Sequence, residues 1–270
     1  MKVVLFCGGL GLRMSEGAAS LPKPMVPIGT RPILWHIMKY YAHFGHKDFI
    51  ICLGHRAEVI KEFFLNYNEA LSNDFVLSEG GKRIDLLQSD IEEWRITFVS
   101  TGLHSTIGQR LSAVREHVAE DDCFLATYGD GLTDAPLPEI IETHREQGKV
   151  ASFLAVRPTN YSFHTVDVSS DGRVGGIHDI TQANIWINGG FFVLDRSVFD
   201  YIQEGEDFID GPPMARLIDG DKVLAYRYEG FWAPMDTLKD KHNLEALAAS
   251  GSGPWEVWSD EEELLYPEPA

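Results

Sequence analysis

Hydrophobic positions along the chain form short continuous runs that alternate with longer stretches of helical spacing. The first run, Val3–Cys7, is apolar and contains β-branched residues, which predicts a buried strand. In Ile33–His46, apolar residues recur every three or four positions, which predicts a helix that stops at Gly45. The alternation continues through predicted strands Phe49–Leu53, Ile96–Thr101, Cys123–Thr127 and Val150–Arg157 and predicted helices Val59–Leu65, Leu111–Val118 and Pro138–Gln147. This order predicts an α/β fold in which helices flank a mixed, mostly parallel sheet.

The pattern changes after Arg157. Val166–Val168 and Val174–Ile177 flank a turn and predict a hairpin. The remaining predicted elements are a strand over Ile187–Leu194, helical pieces over Ser197–Tyr201 and Pro212–Ile218, a strand over Val223–Glu229 and a helix over Leu238–Ala249. We therefore predict one domain over residues 1–250 with a small β insertion at about 160–186. Residues 251–270 form an acidic arm that either docks on the domain or is disordered at its end.

Composition favours a large buried core, since 44% of the 270 residues are hydrophobic. The N-terminus lacks the pattern of a signal peptide, and no run approaches the roughly 18 apolar residues that cross a bilayer. Cys7, Cys52 and Cys123 lie in apolar runs and are not spaced as metal ligands, which is typical of buried free thiols. These features predict a cytoplasmic protein without a membrane partner.

The net charge is −18, from 23 basic and 41 acidic residues. This charge argues against nucleic acids and anionic membranes as partners, and it makes cations beside a glycine-rich turn informative. Much of the excess lies in the acidic runs Glu116–Asp122, Glu204–Asp210 and Asp260–Glu263, which we interpret as solvated surface.

A glycine-rich turn follows the first predicted strand. Gly8, Gly9 and Gly11 allow backbone N–H groups to approach phosphate oxygens. Arg13 and Lys23 then supply positive charge. The spacing matches neither the P-loop, which needs Gly-Lys-Ser/Thr, nor the dinucleotide fingerprint, which needs a further glycine. The turn indicates a nucleoside triphosphate site, and an ordinary glycine-rich turn is the alternative.

Two carboxylates are candidate metal ligands. Asp130 lies between two glycines directly after a predicted strand, where open α/β sheets bind ligands. Asp236 is the best second carboxylate, and Mg²⁺ commonly takes one or two carboxylates plus phosphate oxygens. The alternatives are a simple Asp-Gly turn at Asp130 and a helix cap at Asp236 and Thr237. No arrangement typical of a Ser or Cys nucleophile accompanies them.

Several motifs occur in one order along most of the chain, from Lys2 to about Trp258. They are Gly8-Gly9-Leu10-Gly11-x-Arg13, Pro22-Lys23-Pro24-Met25, the stretches Pro32–Met38 and Asp48–Cys52, Tyr128-Gly129-Asp130-Gly131, the stretch Asn188–Leu194, and Phe231-Trp232-x-Pro234-Met235-Asp236-Thr237. In these motifs the sequence resembles the glucose-1-phosphate cytidylyltransferase family of sugar nucleotidyltransferases. The resemblance implies a Rossmann-like α/β fold with a β insertion and a C-terminal arm. It also implies a homo-oligomer that uses CTP and Mg²⁺ to convert α-D-glucose 1-phosphate into CDP-glucose and pyrophosphate.

The resemblance implies roles for individual residues. The implied nucleotide contacts are Leu5, Cys7, Gly8, Gly9, Gly11, Arg13, Lys23, Thr101, Gly108, Arg110 and Asp130, with Thr101 and Arg110 in a nucleotide-contacting loop. The implied acceptor contacts are Tyr128, Gly129, Asn188, Gly189, His164, His178 and Trp232. Arg13 and Lys23 would be catalytic, the first on the leaving pyrophosphate and the second on the α-phosphate. Asp130 and Asp236 would hold Mg²⁺.

The sequence departs from this family mainly on the acceptor side. The family places a lysine of a Glu-Lys-Pro motif on the sugar phosphate, whereas residues 177–184 contain no lysine. Phe163-His164-Thr165 replaces a small Gly-Ala pair, and Leu12 and Gln109 replace a threonine and a glycine. Loss of one charge-assisted phosphate contact costs about 1.5–3 kcal/mol. His164 or His178 is a candidate replacement for the lysine, with a structural histidine as the alternative.

We therefore expect an intact nucleotide half and a changed acceptor half. The expected reaction is transfer of CMP from CTP, or of another nucleotide from its triphosphate, to a phosphorylated small molecule resembling glucose 1-phosphate. A phosphonate, a cyclitol phosphate or another non-sugar phosphate is the alternative acceptor. A non-catalytic nucleotide-sensing subunit is an alternative of another class. An NAD-dependent dehydrogenase is disfavoured by the missing glycine of the dinucleotide fingerprint.

Overall fold

The computed structural model describes residues 1–9, 21–158, 164–180, 184–251 and 253–259. Its α-helices are α1 Ile33–His43, α2 Ala57–Leu65, α3 Ile107–Val114, α4 Leu137–Gln147, α5 Pro212–Asp219 and α6 Leu238–Ala249. Its strands are β1 Lys2–Cys7, β2 Pro27–Ile28, β3 Arg31–Pro32, β4 Asp48–Leu53, β5 Phe75–Ser78, β6 Arg83–Leu86, β7 Arg95–Ser100, β8 Cys123–Tyr128, β9 Gly131–Thr133, β10 Ala151–Val156, β11 His164–Val168, β12 Val174–Asp179, β13 Ile187–Asn188, β14 Phe192–Asp195, β15 Val223–Tyr228 and β16 Trp232–Pro234.

Eight strands form one central sheet, and seven of them follow the order β13-β10-β14-β8-β1-β4-β7. Strands β13 and β14 pair with different residues of β10 along one side, and β15 pairs with β10 on the other side. The strands β7, β4, β1 and β8 are parallel, whereas β14 runs antiparallel to β8. The mixed, mostly parallel sheet flanked by helices confirms the predicted fold class.

Alternation along β1 creates a separate core on each face of the sheet. Val3, Leu5 and Cys7 belong to one apolar cluster that includes α1, and Val4 and Phe6 belong to a second that includes residues of α3. Because successive side chains of a strand point to opposite faces, a strand covered on both sides needs a continuous apolar run. This explains why the first apolar run predicted the buried strand correctly.

The helices begin and end where local signals are strong. α1 ends at His43, three residues before the predicted end, and Gly45 follows with φ +83°. The Gly45 N–H donates to Ala42 O at 2.9 Å, and the His46 N–H donates to Tyr41 O at 3.0 Å. The left-handed glycine therefore closes the helix, as the sequence indicated.

A strand and a hairpin differ from the sequence predictions. The predicted strand Ile187–Leu194 is divided into β13 and β14, because Gly190 and Phe191 have φ values of +78° and +48° and interrupt the ladder. The hairpin formed by β5 and β6 was not predicted. The predicted hairpin at 166–177 is present as β11 and β12.

The beginning of the C-terminal segment packs against α1. Trp255 is fully buried, and its Nε1 donates a hydrogen bond to His36 Nδ1 at 3.2 Å. The Trp258 ring stacks on His36 and meets Trp35 edge to face. These tryptophans therefore pack within their own chain, on the helix that follows the lysine motif. None of the helices described above is both long enough and apolar enough to span a bilayer.

Candidate functional site

A cavity of about 300 Å³ lies where β1 and β8 end, at their carboxyl edge. It is lined by Phe6, Cys7, Gly8, Gly9, Lys23, Pro24, Ser105, Thr106, Ile107, Arg110, Tyr128, Gly129, Asp130 and Asp207. Since parallel strands of an open sheet present their ends to ligands, this is the expected position of a binding site. The structure thus brings together predicted residues that lie more than a hundred positions apart in sequence.

Strand pairing places the two candidate metal carboxylates side by side. β9 follows Asp130 and pairs with β16, which precedes Asp236, so that Gly131 lies opposite Pro234. The Met235 N–H donates to the Asp130 carbonyl at 2.8 Å and extends this ladder. The two aspartates therefore meet through backbone geometry.

Lys23 bridges the two carboxylates. Its Nζ lies 2.7 Å from Asp130 Oδ2 and also donates to Asp236 Oδ1. Burial lowers the pKa of Lys23, but the two carboxylates outweigh burial and raise this pKa above its ordinary value. Lys23 is consequently a firmly charged ammonium.

The sequence around Lys23 explains its fixed position. Lys23 opens a short 3₁₀ turn over Lys23–Met25, preceded by Pro22 in an extended conformation. Pro24 and Met25 are buried and anchor the turn to the core. The Lys23 side chain, 16% exposed, is left to face the aspartates.

The N-cap of the last helix is Thr237 and not Asp236. Thr237 is the N-cap of α6, and its hydroxyl accepts the Asp240 N–H at 3.2 Å. The Asp240 carboxylate in turn accepts the N–H groups of Asp236 and Thr237. This capping box fixes the backbone of Asp236 and leaves its side chain free of capping, on Lys23.

The donor set fits a magnesium ion. Asp130 and Asp236 present two carboxylates to one cation, here the Lys23 ammonium. Mg²⁺ needs no more than one or two carboxylates when substrate phosphates complete its coordination. Within the described ranges no group of three or more His, Cys, Asp or Glu side chains could hold a metal by itself.

Arg110 is a second cation at the cavity, and it is almost fully buried. Its Nη1 donates to Thr101 Oγ1 at 2.6 Å, and its Nη2 donates to the Gly8 carbonyl at 3.1 Å. Thr101 donates its own hydroxyl hydrogen to the Leu53 carbonyl at 2.9 Å. These partners are neutral oxygens, so the guanidinium keeps a net positive charge for an incoming anion.

Gly8 is required for this arrangement of Arg110. A Cβ built on Gly8 would lie 2.0 Å from Arg110 Nη1, whereas a Cβ on Gly9 would meet none of the residues that the structure describes within 4 Å. Burial lowers the pKa of Arg110 below its ordinary value. Burial also raises the pKa of Cys7 well above its ordinary value, so this thiol is a neutral part of the cavity wall.

α3 begins earlier than predicted, which moves two predicted site residues onto a helix. Thr106 is its N-cap, and Gln109 completes a capping box by accepting the Thr106 N–H at 2.9 Å. Gly108 and Arg110 therefore lie on the first turns of α3 and not on a loop. The residues around its start line the cavity, and a helix N-terminus favours negatively charged ligands.

The predicted acceptor residues form a connected group beside Asp130. Asn188 Nδ2 donates to the Tyr128 hydroxyl at 3.2 Å, and the Trp232 indole N–H donates to the Gly189 carbonyl at 2.8 Å. Burial and nearby carboxylates raise the pKa of Tyr128 to about 12, although the hydrogen bond from Asn188 lowers it. Tyr128 is therefore a neutral hydroxyl at neutral pH.

Other predicted residues lie elsewhere. Leu5 is fully buried in the core and does not line the cavity. His164 and His178 lie on the β11–β12 hairpin, where His178 Nε2 is 3.2 Å from Asp167 Oδ2 at the surface. Gly11 and Arg13 fall outside the described residues, as do Leu12 and Phe163 among the departures from the family.

One acidic run is not the solvated surface that the sequence suggested. In Glu204–Asp210, the Glu206 carboxylate accepts hydrogen bonds from the Arg216 guanidinium, and Asp207 lines the cavity. Phe208, the next residue, is buried in the same apolar cluster as Leu217 of α5. Sequence reasoning missed Asp207 because charge alone marked the run, although buried Phe208 in its middle was a visible sign of packing.

Comparisons with known proteins identify the family and the fold of this chain. Residues 2–240 match the family model described as nucleotidyl transferase. The proteins of Salmonella typhi and Salmonella typhimurium named glucose-1-phosphate cytidylyltransferase are each 42% identical over 259 residues, which cover 96% of this chain and 100% of theirs. The crystal structure of UDP-glucose pyrophosphorylase from Acinetobacter baumannii has the same fold, with a TM-score of 0.67, 19% identity and coverage of 98% of each chain. The chain therefore belongs to the nucleotidyl transferase family and is a nucleotidyltransferase enzyme of the sugar nucleotidyltransferase type.

Proposed function

We propose that this protein is a Mg²⁺-dependent cytidylyltransferase that transfers CMP from CTP to a sugar 1-phosphate and releases pyrophosphate. One observation carries the proposal. Lys23, Asp130 and Asp236 converge at the edge of a cavity whose other wall holds Gly8 and the buried Arg110. This arrangement offers a cation site and a phosphate site next to each other.

The nucleotide binds, in this proposal, along the glycine wall. The Arg110 guanidinium, held in place by Thr101 and Gly8, supplies charge for phosphate oxygens. The N-terminus of α3 adds backbone N–H groups and a favourable dipole. Gly9 has no side chain, and no described residue lies within 4 Å of the position that its Cβ would take, so a ligand can approach its backbone closely.

The chemistry needs positioning more than a protein nucleophile. An oxygen of the acceptor phosphate attacks the α-phosphorus of CTP, and the bond from that phosphorus to the pyrophosphate oxygen breaks. The acceptor phosphate is already an anion at neutral pH, so no general base is required. Lys23 holds the α-phosphate and neutralises charge that develops there. Mg²⁺, held by Asp130 and Asp236, would supply further charge neutralisation on phosphate oxygens.

The choice of CTP and of a sugar phosphate rests on the resemblance in motif order and on the names of the 42% identical relatives. The missing lysine in residues 177–184 leaves a phosphonate, a cyclitol phosphate or another non-sugar phosphate as alternative acceptors. We also propose that the protein acts in the cytoplasm as a homo-oligomer. Cys7 and Cys52, both buried free thiols, are consistent with a reducing compartment.

Pyrophosphate release tests the proposal. The purified protein is assayed with Mg²⁺ and CTP, UTP, GTP or dTTP, each against glucose 1-phosphate, other sugar phosphates, a cyclitol phosphate and a phosphonate. Rapid release with CTP and glucose 1-phosphate is the expected result. Release only with a non-sugar acceptor would keep the reaction and replace the substrate. CTP binding without release from any acceptor would favour a nucleotide sensor.

A pair of variants tests the role of the metal site. Asp130→Asn removes a carboxylate that is 31% exposed and pairs with Lys23, and we expect at least 100-fold loss of turnover. Asp48→Asn removes a carboxylate that is 28% exposed and pairs with Arg95, at the opposite end of the sheet. The control should keep its turnover. Equal activity of the two variants would refute the assignment of Asp130.

A further inference from the structure

Asp207 is a carboxylate in the cavity that the proposed chemistry does not use. Its Oδ1 is buried and has no hydrogen-bond partner among the described residues. Asp207 also lines the cavity together with Arg110, Tyr128 and Gly129. An unpaired buried carboxylate oxygen is costly in a folded protein, so its position calls for an explanation.

The backbone around Asp207 is held firmly from both sides. The carbonyl of Glu206 accepts the Thr106 hydroxyl at 3.1 Å, and the Glu206 carboxylate is held by Arg216. On the other side, Phe208 is 1% exposed in the core. A Cβ on Gly108 would lie 2.3 Å from the Glu206 carbonyl oxygen, which shows how closely this segment meets α3. Asp207 is therefore placed at the cavity by a rigid segment.

The charges around the cavity are divided between two sides. Lys23, Arg110 and the N-terminus of α3 offer positive charge to phosphates. Asp207 faces the same space with negative charge, and it is one of the carboxylates that raise the pKa of Tyr128. A carboxylate repels phosphate and accepts hydrogen bonds only, so its ligand must offer a hydrogen-bond donor or a positive charge, and the hydroxyl groups of a ribose or a sugar phosphate are such donors.

We infer that Asp207 is a specificity-determining residue that accepts a hydrogen bond from a substrate hydroxyl and so orients the substrate with its phosphates toward Lys23 and Arg110. The hydroxyl belongs either to the ribose of the nucleotide or to the acceptor, and the chemistry of recognition is the same. This inference rests on the proposed function, since it assumes that both substrates enter this cavity. A missing hydroxyl would leave the carboxylate unpaired, which makes such a site discriminating.

Paired substrate and protein changes test the inference. Binding of CTP, 2′-deoxy-CTP and 3′-deoxy-CTP, and separately of glucose 1-phosphate and its deoxy analogues, is measured by calorimetry on wild type, Asp207→Ala and Asp210→Asn. Asp210 is the matched control, because it is an exposed carboxylate on the same segment. Turnover is measured on the same samples, so that loss of a hydroxyl contact is distinguished from absence of cytidylyl transfer.

For wild type we expect one deoxy analogue to bind roughly 10- to 100-fold more weakly than its parent, as for a charge-assisted hydrogen bond. In Asp207→Ala the same analogue should bind within about threefold of its parent, while Asp210→Asn should behave as wild type. If the weaker binding disappears for a CTP analogue, the hydroxyl that Asp207 contacts belongs to the ribose. If it disappears for a glucose 1-phosphate analogue, the hydroxyl belongs to the acceptor. Asp207→Ala should melt at or above the wild-type temperature, because it removes an unpaired buried group. Penalties that stay the same in Asp207→Ala in both arms would overturn the inference.

Discussion

Removing the Lys23 ammonium should make the ligand-free protein dependent on a divalent cation. Asp130 and Asp236 both contact the same Nζ, so their oxygens lie within two hydrogen-bond lengths, roughly 5–6 Å. In Lys23→Met no other cation among the described residues pairs with these two carboxylates in the absence of metal. The side chain of methionine keeps the length of the lysine stem, which limits the change to the loss of charge.

The expected cost follows from the geometry. Two like charges about 5 Å apart repel by roughly 1 kcal/mol in water and roughly 3 kcal/mol at an effective dielectric constant of 20. The Asp130 and Asp236 side chains are 31% and 36% exposed, so solvent screening reduces the effect. We expect the free energy of unfolding to fall by about 1–2 kcal/mol, which lowers the melting temperature by about 2–6 °C.

Thermal unfolding in EDTA and in millimolar Mg²⁺ measures this effect. Mg²⁺ should stabilise Lys23→Met and have little effect on wild type, in which the ammonium already occupies the space between the carboxylates. Lys241→Met is the control, because Lys241 is 19% exposed, against 16% for Lys23, and pairs with a single carboxylate, Glu245. It should melt close to wild type with and without Mg²⁺. A Lys23→Met variant that melts at the wild-type temperature in EDTA, or that ignores Mg²⁺, would refute the proposed competition between lysine and metal.

Two further predictions concern stability at low pH and the glycine wall. Burial lowers the pKa of His36 from 6.5 to about 4. As the pH falls, the imidazole therefore binds a proton in the unfolded chain before it does so in the folded protein. The stability that neutral His36 contributes is complete above pH 6.5 and declines as the pH falls toward 4. The free energy of unfolding should fall by roughly 3 kcal/mol over this pH range. Urea unfolding between pH 7 and 4 should show a smaller decline in this free energy for His36→Gln than for wild type. An equal decline in the two proteins would contradict the prediction. Gly8→Ala should weaken CTP binding at least tenfold, because the new Cβ displaces the Arg110 guanidinium. Gly9→Ala should bind CTP nearly as wild type, because its Cβ meets no described residue within 4 Å. Calorimetry that finds equal losses of affinity in the two variants would disprove this distinction.

Much of the fold follows from hydrophobic pattern, because the central strands are covered on both faces. The runs at β1, β4 and β8 are continuous and apolar, and the helices between them show helical spacing. The β5–β6 hairpin could not be found in this way. Phe75, Val76 and Leu77 are consecutive and all exposed, so no alternation distinguishes a buried face.

The start of α3 was visible in the sequence and was missed. Thr106 and Gln109 have the spacing of a capping box, which predicts a helix beginning at Ile107. The resemblance implies a glycine at position 109, and a glycine could not complete this capping box. In this chain Gln109 accepts the Thr106 N–H, and Arg110 lies on the first turn of α3.

The acceptor side of the site depends on irregular backbone that hydrophobic pattern does not report. Asn188 and Gly189 reach Tyr128 and Trp232 only because the strand is interrupted before β14. Phe191 takes φ +48°, which is strained for a side chain of its size, and its N–H is held by Thr127 Oγ1 at 3.1 Å. The interruption inserts two residues, because Ser152 pairs with Val193 and Ala155 pairs with Asn188. The residues that we propose as acceptor contacts therefore adjoin an irregular backbone at Gly190 and Phe191, whereas the proposed nucleotide contacts near the N-terminus follow directly from the glycines and cations of the sequence.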